Sequence, residues 1–538
     1  MTPMSQWRRR YSIVIEQSRS RSVLSSPTLN AALLCVFLGA VDLTVIAAIL
    51  PRMIADLGVN TSDIDRYIWI VSGYLIAYIV AIPIVGRVSD MAGRRNTFLA
   101  CLAIFMAGSI VCGLSDTMNG LIVGRSIQGF GAGGLLPVAL ALTSDTLPRG
   151  KRFAGIGLVS AVDTLGWVIG PVYGAVVEAL AWSASEGWRW IFWLNVPLLA
   201  VAAVFVVVKF PSESEPGKHS SLHGFDWLGS LLLASALVGI NLALSAGGEI
   251  GSASTSGMRA LGGTSNPLSS YVPLLLFISL ICGGLLVIWE QRVRFPLLPV
   301  ALFANRTFLL ASIANFLVGA VLMVGMVDVP VVVALVANPD HATEIGAGML
   351  ATFTIGIMIM SVLSSRLIRL WGSFRIMFAG LALAAIGFAL LYPLLQGGHV
   401  FRMSIGLVIA GCGLGLLIAP LSAIVLDQAV ERDYGAAAGM ALVFRLLGMT
   451  IGISALTALA VKRLQSLTDA LDPIVRQPDE GTAVFLLRQQ QFLENHAIPL
   501  SIQVVQETFL IAAALALLAM IPIWLLTRSS QTPQAIGT

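Results

Sequence analysis

Apolar residues run together for about 20 positions at a time along most of the chain, and polar residues gather in the short stretches between them. A helix needs about 20 apolar residues to cross the hydrocarbon core of a bilayer. Fourteen such runs occur, at 29–51, 67–86, 96–115, 120–143, 153–180, 188–209, 226–247, 271–290, 307–337, 345–366, 374–395, 402–427, 434–462 and 500–527. The expected fold is an all-α membrane protein with fourteen transmembrane helices. The spacing of the runs gives six spans, a pair, and six more, the layout of two six-helix bundles with two linker helices inserted between them. Internal repetition of this kind is typical of secondary transporters, whose substrate site lies between the halves near the bilayer midplane.

Composition supports the membrane reading: 57% of the 538 residues are hydrophobic and 11% charged, against about 25% charged in a soluble domain. Lys and Arg set the orientation, because their excess marks cytoplasmic loops. With the N-terminus inside, cytoplasmic segments hold 21 of the 32 Lys and Arg. Both termini are then cytoplasmic, in a multi-pass protein of the cell membrane. The basic tail (Arg8, Arg9, Arg10, Arg19, Arg21) is read as a topology anchor, since the first span is too long for the apolar region of about 7–15 residues in a cleaved signal. The net charge of +4 reflects that topology and not a nucleic-acid footprint. Cys35, Cys101, Cys112, Cys282 and Cys412 all fall in spans with no paired spacing, which implies packing and no disulfide framework. The five histidines fall in loops. His219 and His223 have a four-residue spacing, but they lie in a Ser/Gly-rich linker that makes a poor metal site. Neither a metal nor a cofactor is expected.

Charged residues inside the spans are the strongest functional signal, because an ionised side chain at the bilayer centre costs at least about 2.5–3.5 kcal/mol. Asp42, Arg125, Asp163, Asp328 and Arg445 are such residues. Asp42 is either a structural partner of Arg125 or Arg445, or a carboxylate that binds and releases a proton as its surroundings change. Burial disfavours an ionised carboxyl and a nearby Arg favours it, so a pair that rearranges changes its proton affinity between conformations. Asp163 precedes Gly166, Gly170 and Gly174 on roughly one helical stripe. Those glycines would allow close helix contact and aim Asp163 at the facing half or the cavity, either as a structural hydrogen-bonding group or as a proton carrier. Arg445 is read as a counter-charge from the second half to Asp42 or Asp163, or as a latch on the cytoplasmic side. Asp328 is followed by Pro330, which interrupts helical hydrogen bonding and would place a bend and a cavity-facing acid near the outer leaflet. Arg125, with Gln128, is read as setting proton affinity or structure and not as binding substrate.

The turn after the second span reads Gly86-Arg87-Val88-Ser89-Asp90-Met91-Ala92-Gly93-Arg94-Arg95. Gly86 and Gly93 permit a tight turn, Asp90 can face a helix N-terminus, and the arginines keep the loop cytoplasmic. This closely resembles the signature loop of the major facilitator superfamily. Asp42-Leu43-Thr44 through Pro51 is similar to the first-helix motif of its fourteen-helix drug/proton antiporter branch, with Ala47 in place of the usual Asn. Arg125-Ser126-Ile127-Gln128-Gly129 resembles the fourth-helix motif. Gly166, Gly170, Pro171 and Gly174 resemble the fifth-helix motif associated with exporters. In the second half, Arg366 to Arg375 is a degenerate echo of the Gly86 loop. Trp69-Ile70-Val71, Tyr74-Leu75 and Val327-Asp328-Val329-Pro330 are similar to mycobacterial-type exporters of triacylglycerides, which also affect drug tolerance. One departure stands out. That branch has an acid six positions before the fifth-helix Gly-Pro, where this chain has Thr164. Its acid is Asp163, and one residue turns a helical side chain by roughly 100°.

The resemblance implies a proton-coupled exporter of hydrophobic or amphiphilic compounds, triacylglyceride-like lipids or lipophilic drugs, working by alternating access and conferring multidrug resistance. Asp42, Asp163, Arg445 and Asp328 would carry proton coupling. Gly86, Arg87, Asp90, Gly93, Arg94 and Arg95 would form a conformational latch, and Gly166, Gly170, Pro171 and Gly174 a helix-packing motif. Protons, the bilayer, the lipid or drug, and a periplasmic lipid-carrier protein are the implied partners. The expected organisation is a basic tail (1–28), an N-terminal bundle (29–210), a linker with two helices (211–306), a C-terminal bundle (307–528) containing an extracytoplasmic segment (463–499), and a short tail (529–538). That segment is unusually apolar, with Leu464, Leu467, Phe485 and Leu487 among its residues. It is either a self-packed cap or a guide for lipid tails leaving the membrane. Proton-coupled uptake by symport is the alternative transport direction. A membrane enzyme is disfavoured, since no HExxH is present and Gly217-Lys218 is followed by His219, so no P-loop forms.

Overall fold

The computed structural model describes residues 27–56, 64–180, 187–210, 225–247, 271–293, 296–298, 301–336, 342–395, 400–428, 433–468, 482–492, 495–496 and 498–529. The basic tail, His219, His223, His341, His399, the Ser/Gly-rich 248–270 stretch and residues 469–481 lie outside these. Among the described residues every regular element is helical. The long helices are α1 (Pro27–Asp56), α2 (Ile64–Ala92), α3 (Arg94–Leu114), α4 (Met118–Thr146), α5 (Arg149–Leu180), α6 (Arg189–Lys209), α7 (Trp227–Gly247), α8 (Val272–Glu290), α9 (Arg306–Val336), α10 (Ala342–Trp371), α11 (Ser373–Leu394), α12 (Met403–Asp427), α13 (Tyr434–Thr468) and α14 (Ile498–Leu518), which continues past Ala519 as Met520–Ser529. Each expected apolar run coincides with one of them. Twelve are long and apolar enough to cross a membrane, and α5 and α7 carry shorter apolar stretches at Ala154–Trp167 and Trp227–Ala243.

The two halves repeat one packing scheme. Helix α1 lies on α5 as α9 lies on α13; α2 lies on α4 as α10 lies on α12; α3 contacts α4 and α6 as α11 contacts α12 and α14. The seam between halves obeys the same exchange, with α5 against α10 and α13 against α2. Close approach at the seam needs glycine. A Cβ on Gly86 would run into the Gly435 carbonyl, one on Gly157 into the Ser361 carbonyl, and Ser361 Oγ donates to the Gly157 carbonyl at 3.1 Å. Gly93 and Gly372, which open α3 and α11, both have positive φ (89° and 83°) with extended ψ (152° and 153°). Only glycine occupies that region without strain, so the degenerate second-half echo keeps the backbone of the turn although its charges differ.

Burial separates a centre from a rim. The most apolar window of α4 is 83% buried, while that of α8 is 6% buried. Helix α8 packs on α7, and α7 leans on α2 and α13, so the linker pair is a hairpin at the side of the seam. One core cluster joins α1–α6 to the linker and to parts of α12 and α13, and a second fills α9–α14.

Candidate functional site

Helix α1 carries Asp42 to a position 1% exposed, where α4 brings Arg125, also 1% exposed. Arg125 Nη1 donates to Asp42 Oδ2 at 2.7 Å and to Gln128 Oε1 at 2.8 Å, and Arg125 Nη2 donates to the Asp42 carbonyl at 3.4 Å. From α6, Asn195 Nδ2 donates to the other Asp42 oxygen at 2.7 Å. Gln128 in turn donates to Ser109 Oγ of α3 at 2.8 Å. The guanidinium lies over the Tyr74 ring of α2, 4.0 Å from its centre. Five helices of the first half, α1, α2, α3, α4 and α6, thus supply or border one network. Breaking a buried ion pair by removing one partner costs about 3–5 kcal/mol, so this network also fixes the bundle. Asn195 and Tyr74 were not singled out from sequence as site residues. The available signal was an Asn within an apolar span, the kind of polar residue that must find a partner in hydrocarbon.

Helix α5 turns two faces to different neighbours. Gly166 and Gly170 press on α1, where an added Cβ would strike Ala40 and Thr44, and Thr44 Oγ1 donates to the Trp167 carbonyl at 3.1 Å. Ser160, Asp163, Thr164 and Trp167 face the second half instead. They line a cavity with Leu322 and Met326 of α9, Thr354 and Ile357 of α10, Ile418 of α12 and Arg445 of α13. It has room for about one water molecule. The expected stripe is therefore split, with the glycines on α1 and Asp163 at the cavity beside Thr164. Both the acid of this chain and the position where relatives were expected to carry theirs reach the same space.

Arg445 comes to that cavity from the other half. Its Nη2 donates to Ser422 Oγ at 3.1 Å and sits 3.5 Å from Asn315 Oδ1, both neutral acceptors. Asp163 is the charged group that acts on it electrostatically. Among the described residues no direct ion pair joins them, and Arg445 Nε has no hydrogen-bond partner. Of the two carboxylates considered for Arg445, the geometry brings it towards Asp163. Asp42 is committed to Arg125 within its own half. Asp328, on α9 two residues before Pro330, accepts from Thr508 Oγ1 of α14 at 2.5 Å. Helix α9 runs unbroken through Pro330.

The α2–α3 turn clamps the two halves. Asp90 accepts from the Gly435 and Ala436 amides at 2.8 and 2.9 Å, capping the start of α13, and from Arg94 Nη1 at 2.6 Å. Arg94 also donates to Asp145 at 2.8 Å and Ser89 at 2.6 Å. Arg87 pairs with Asp433 at 2.6 Å, and Arg95 donates to the Val207 carbonyl at 3.1 Å. Further along the same face Arg152 reaches Asp427 at 3.4 Å and lies over the Tyr434 ring. Asp433, which sequence reading passed over, is an acid placed just before a helix and opposite a buried arginine. No three potential metal ligands gather among the described residues.

Residues 32–461 match the family model described as Major Facilitator Superfamily. A triacylglyceride transporter of Mycobacterium tuberculosis is 34% identical over 488 residues, covering 86% of this chain and 89% of that protein. A probable triacylglyceride transporter of Mycobacterium leprae is 32% identical over 475 residues, covering 85% and 88%. Among solved structures, the human organic anion transporter MFSD10 shares the fold with a TM-score of 0.59 at 15% identity, covering 92% of this chain and 99% of that one. The transporter FucP does so at 0.54 and 14%, covering 94% and 98%. With its doubled six-helix scheme, its glycine-tight seam and a family match across most of its length, the chain is a multi-pass membrane protein and belongs to the major facilitator superfamily of transporters.

Proposed function

We propose that this protein exports triacylglyceride-like or similarly amphiphilic lipids across the cell membrane by alternating access, driven by protons moving inward. The observation that carries the reading is Asp163 facing Arg445 across a cavity between halves without a direct ion pair. Opposite charges on the two moving bodies, free to approach or part, let a proton and a substrate bias one conformational equilibrium. The names of the relatives support the substrate class. The cavity supports the mechanism from the other direction: a space for about one water cannot hold an acyl glycerol, so the halves must part to admit one.

The clamp lies at the end of the molecule that carries the basic loops, which the charge bias assigns to the cytoplasm along with both termini. The conformation is then closed towards the cytoplasm. Asp42 is the principal proton site in this reading, Arg125 and Gln128 tune it, and Asp163, Arg445 and Asp328 pass protonation to the substrate cavity. The Gly86–Arg95 turn is the latch. The division into bundles at 29–210 and 307–528, with linker 211–306, follows this division of labour. Segment 463–499 shields acyl chains beyond the bilayer. Its described helix, Thr482–Phe492, exposes Val484 and Leu487, and the adjoining helix ends are tied by Arg463 to Glu507 at 3.0 Å. Lipophilic drugs would use the same apolar route, and a periplasmic lipid carrier would receive the lipid.

The test is purified protein in proteoliposomes loaded with labelled triacylglyceride. Export that rises with an imposed pH gradient and stops when an ionophore collapses it supports the reading. Export indifferent to the gradient removes proton coupling, and accumulation in the opposite direction favours symport.

A further inference from the structure

Three hydrogen-bond donors at the cavity between the halves have no acceptor. Trp167 of α5 and Arg445 of α13 line the cavity, and Asn315 of α9 backs Arg445, its Oδ1 3.5 Å from Nη2. Among the described residues Trp167 Nε1, Arg445 Nε and Asn315 Nδ2 have no hydrogen-bond partner, and Asn315 is fully buried. A buried donor left without an acceptor is costly, so three of them on three helices around one space are a set that a ligand can satisfy. The hydroxyls of the same wall do not compete for that ligand as donors. Thr164 Oγ1 donates to the Ser160 carbonyl at 2.8 Å and Thr354 Oγ1 to the Leu350 carbonyl at 2.7 Å, each within its own helix.

The chemistry of the donors narrows the ligand. Indole, guanidinium and amide N–H groups donate and do not accept, so the matching group is an acceptor that needs no donor of its own. It must also suit apolar surroundings and a carboxylate, since Leu322, Met326, Ile357, Ile418 and Asp163 line the same cavity. An anionic headgroup would be set against Asp163, and like charges brought together are costly. A cation would suit Asp163 and leave the three donors unused. A carboxylic ester meets every condition: its carbonyl oxygen accepts, it carries neither charge nor donor, and alkyl chains flank it.

We propose that Trp167, Asn315 and Arg445 form an ester-recognition subsite, which takes the carbonyl oxygens of an acylglycerol when the halves part. The present cavity, with room for about one water, is that subsite closed, with its donors covered and unpaired. Their hydrogen bonds to the lipid are realised only in a conformer open enough to admit it, and a ligand that binds one conformer better shifts the population towards it. Trp167 and Asn315 then determine which lipids are taken, while the apolar wall accepts any long chain. The inference rests on the lipid-export reading and adds to it the part of the lipid that is recognised.

The experiment loads proteoliposomes with a triacylglyceride and with the trialkyl glycerol ether of the same chain lengths, each carrying its own label. The ether keeps the chains and loses the carbonyls. The wild type should export the ester faster by about fivefold or more, the gain expected from one hydrogen bond realised. Trp167→Phe keeps an aromatic ring without the N–H, and Asn315→Leu keeps a side chain of similar length without the amide. Each should bring the ester-to-ether ratio towards one, and the two together should abolish the preference. A merely structural role would lower both rates and leave the ratio at its wild-type value, which would overturn the assignment. Equal export of ester and ether by the wild type would overturn the subsite and leave lipid export standing. Export of neither lipid would overturn the lipid-export reading and the subsite with it.

Discussion

Asp42 shows what a membrane interior demands of a single charge. Every oxygen of its carboxylate has a donor, from Arg125 or Asn195, and no water is needed to hold it. Replacing it with Asn keeps one acceptor but leaves Arg125 buried without its counter-charge. Asp42→Asn should therefore lose about 3–5 kcal/mol of stability, seen as a lower thermal midpoint in detergent, and should lose export driven by a pH gradient. Adding Arg125→Gln should recover much of the midpoint and none of the export. Gradient-driven export at the wild-type rate in Asp42→Asn would take Asp42 out of the mechanism. Arg445 differs, since its described partners are the neutral Ser422 and Asn315. Arg445→Ala should stop export with a smaller fall in midpoint than Asp42→Asn. Arg445→Lys should rescue part of it, because an ammonium replaces charge but not the planar fork. Undiminished transport by the alanine variant would make Arg445 a packing residue.

The turns and helix ends carry their own tests. Gly93 and Gly372 share a backbone conformation that other residues occupy at a cost of about 1–3 kcal/mol. Nothing lies within 4 Å of a Cβ added at Gly372, so Gly372→Ala isolates the conformational term. Its thermal midpoint should fall by the amount that cost implies, and an unchanged midpoint would refute the strain argument. Segment 463–499 makes a separate claim about lipid. Leu467 and Phe485 are partly buried, while Gln491 is exposed. Charge on an apolar guide should obstruct acyl chains more than small solutes that leave through water. Leu467→Asp with Phe485→Asp should lower export of a long-chain glyceride far more than efflux of a small cationic dye, at equal protein level. Gln491→Asp should change neither. Equal loss of both substrates would indicate a folding defect, and loss of neither would leave the segment a passive cap.

At the scale of the whole molecule, the seam is shut by Arg87–Asp433, Arg152–Asp427 and the Asp90 cap on α13. If transport needs that seam to open, fixing it shut must stop the cycle. Arg152→Cys with Asp427→Cys, in a background where Cys282 and Cys412 are serine, should lose lipid export when bridged by a short thiol-reactive crosslinker with a cleavable disulfide. Export should return on reduction. Transport that continues in the bridged protein would end the alternating-access reading.

The long apolar helices and the charged positions inside them were legible in the sequence, because a hydrocarbon core about 30 Å thick imposes a run length and penalises each buried charge. The stretch Gly86–Arg95 was legible through its resemblance to the superfamily's signature loop, although α2 runs on to Ala92 and only Gly93 makes the turn, while Gly86 serves the seam. Partner choice was not. Arg445 could have served Asp42 or Asp163, and only the packing of α13 against the seam turned it to Asp163's cavity, while α4 had already given Arg125 to Asp42. The fifth-helix glycines and Asp163 lie on neighbouring stripes that sequence spacing merges and two packed neighbours pull apart. Asn195 showed only as an Asn within an apolar span, and Asp433 carries no local signature, since it gains its meaning from Arg87, hundreds of positions away. Local chemistry and the bilayer fix which segments are helices and which residues are costly to bury. Which of those costly residues meet is a property of helix packing, and that exists only once the two halves and the linker hairpin are assembled.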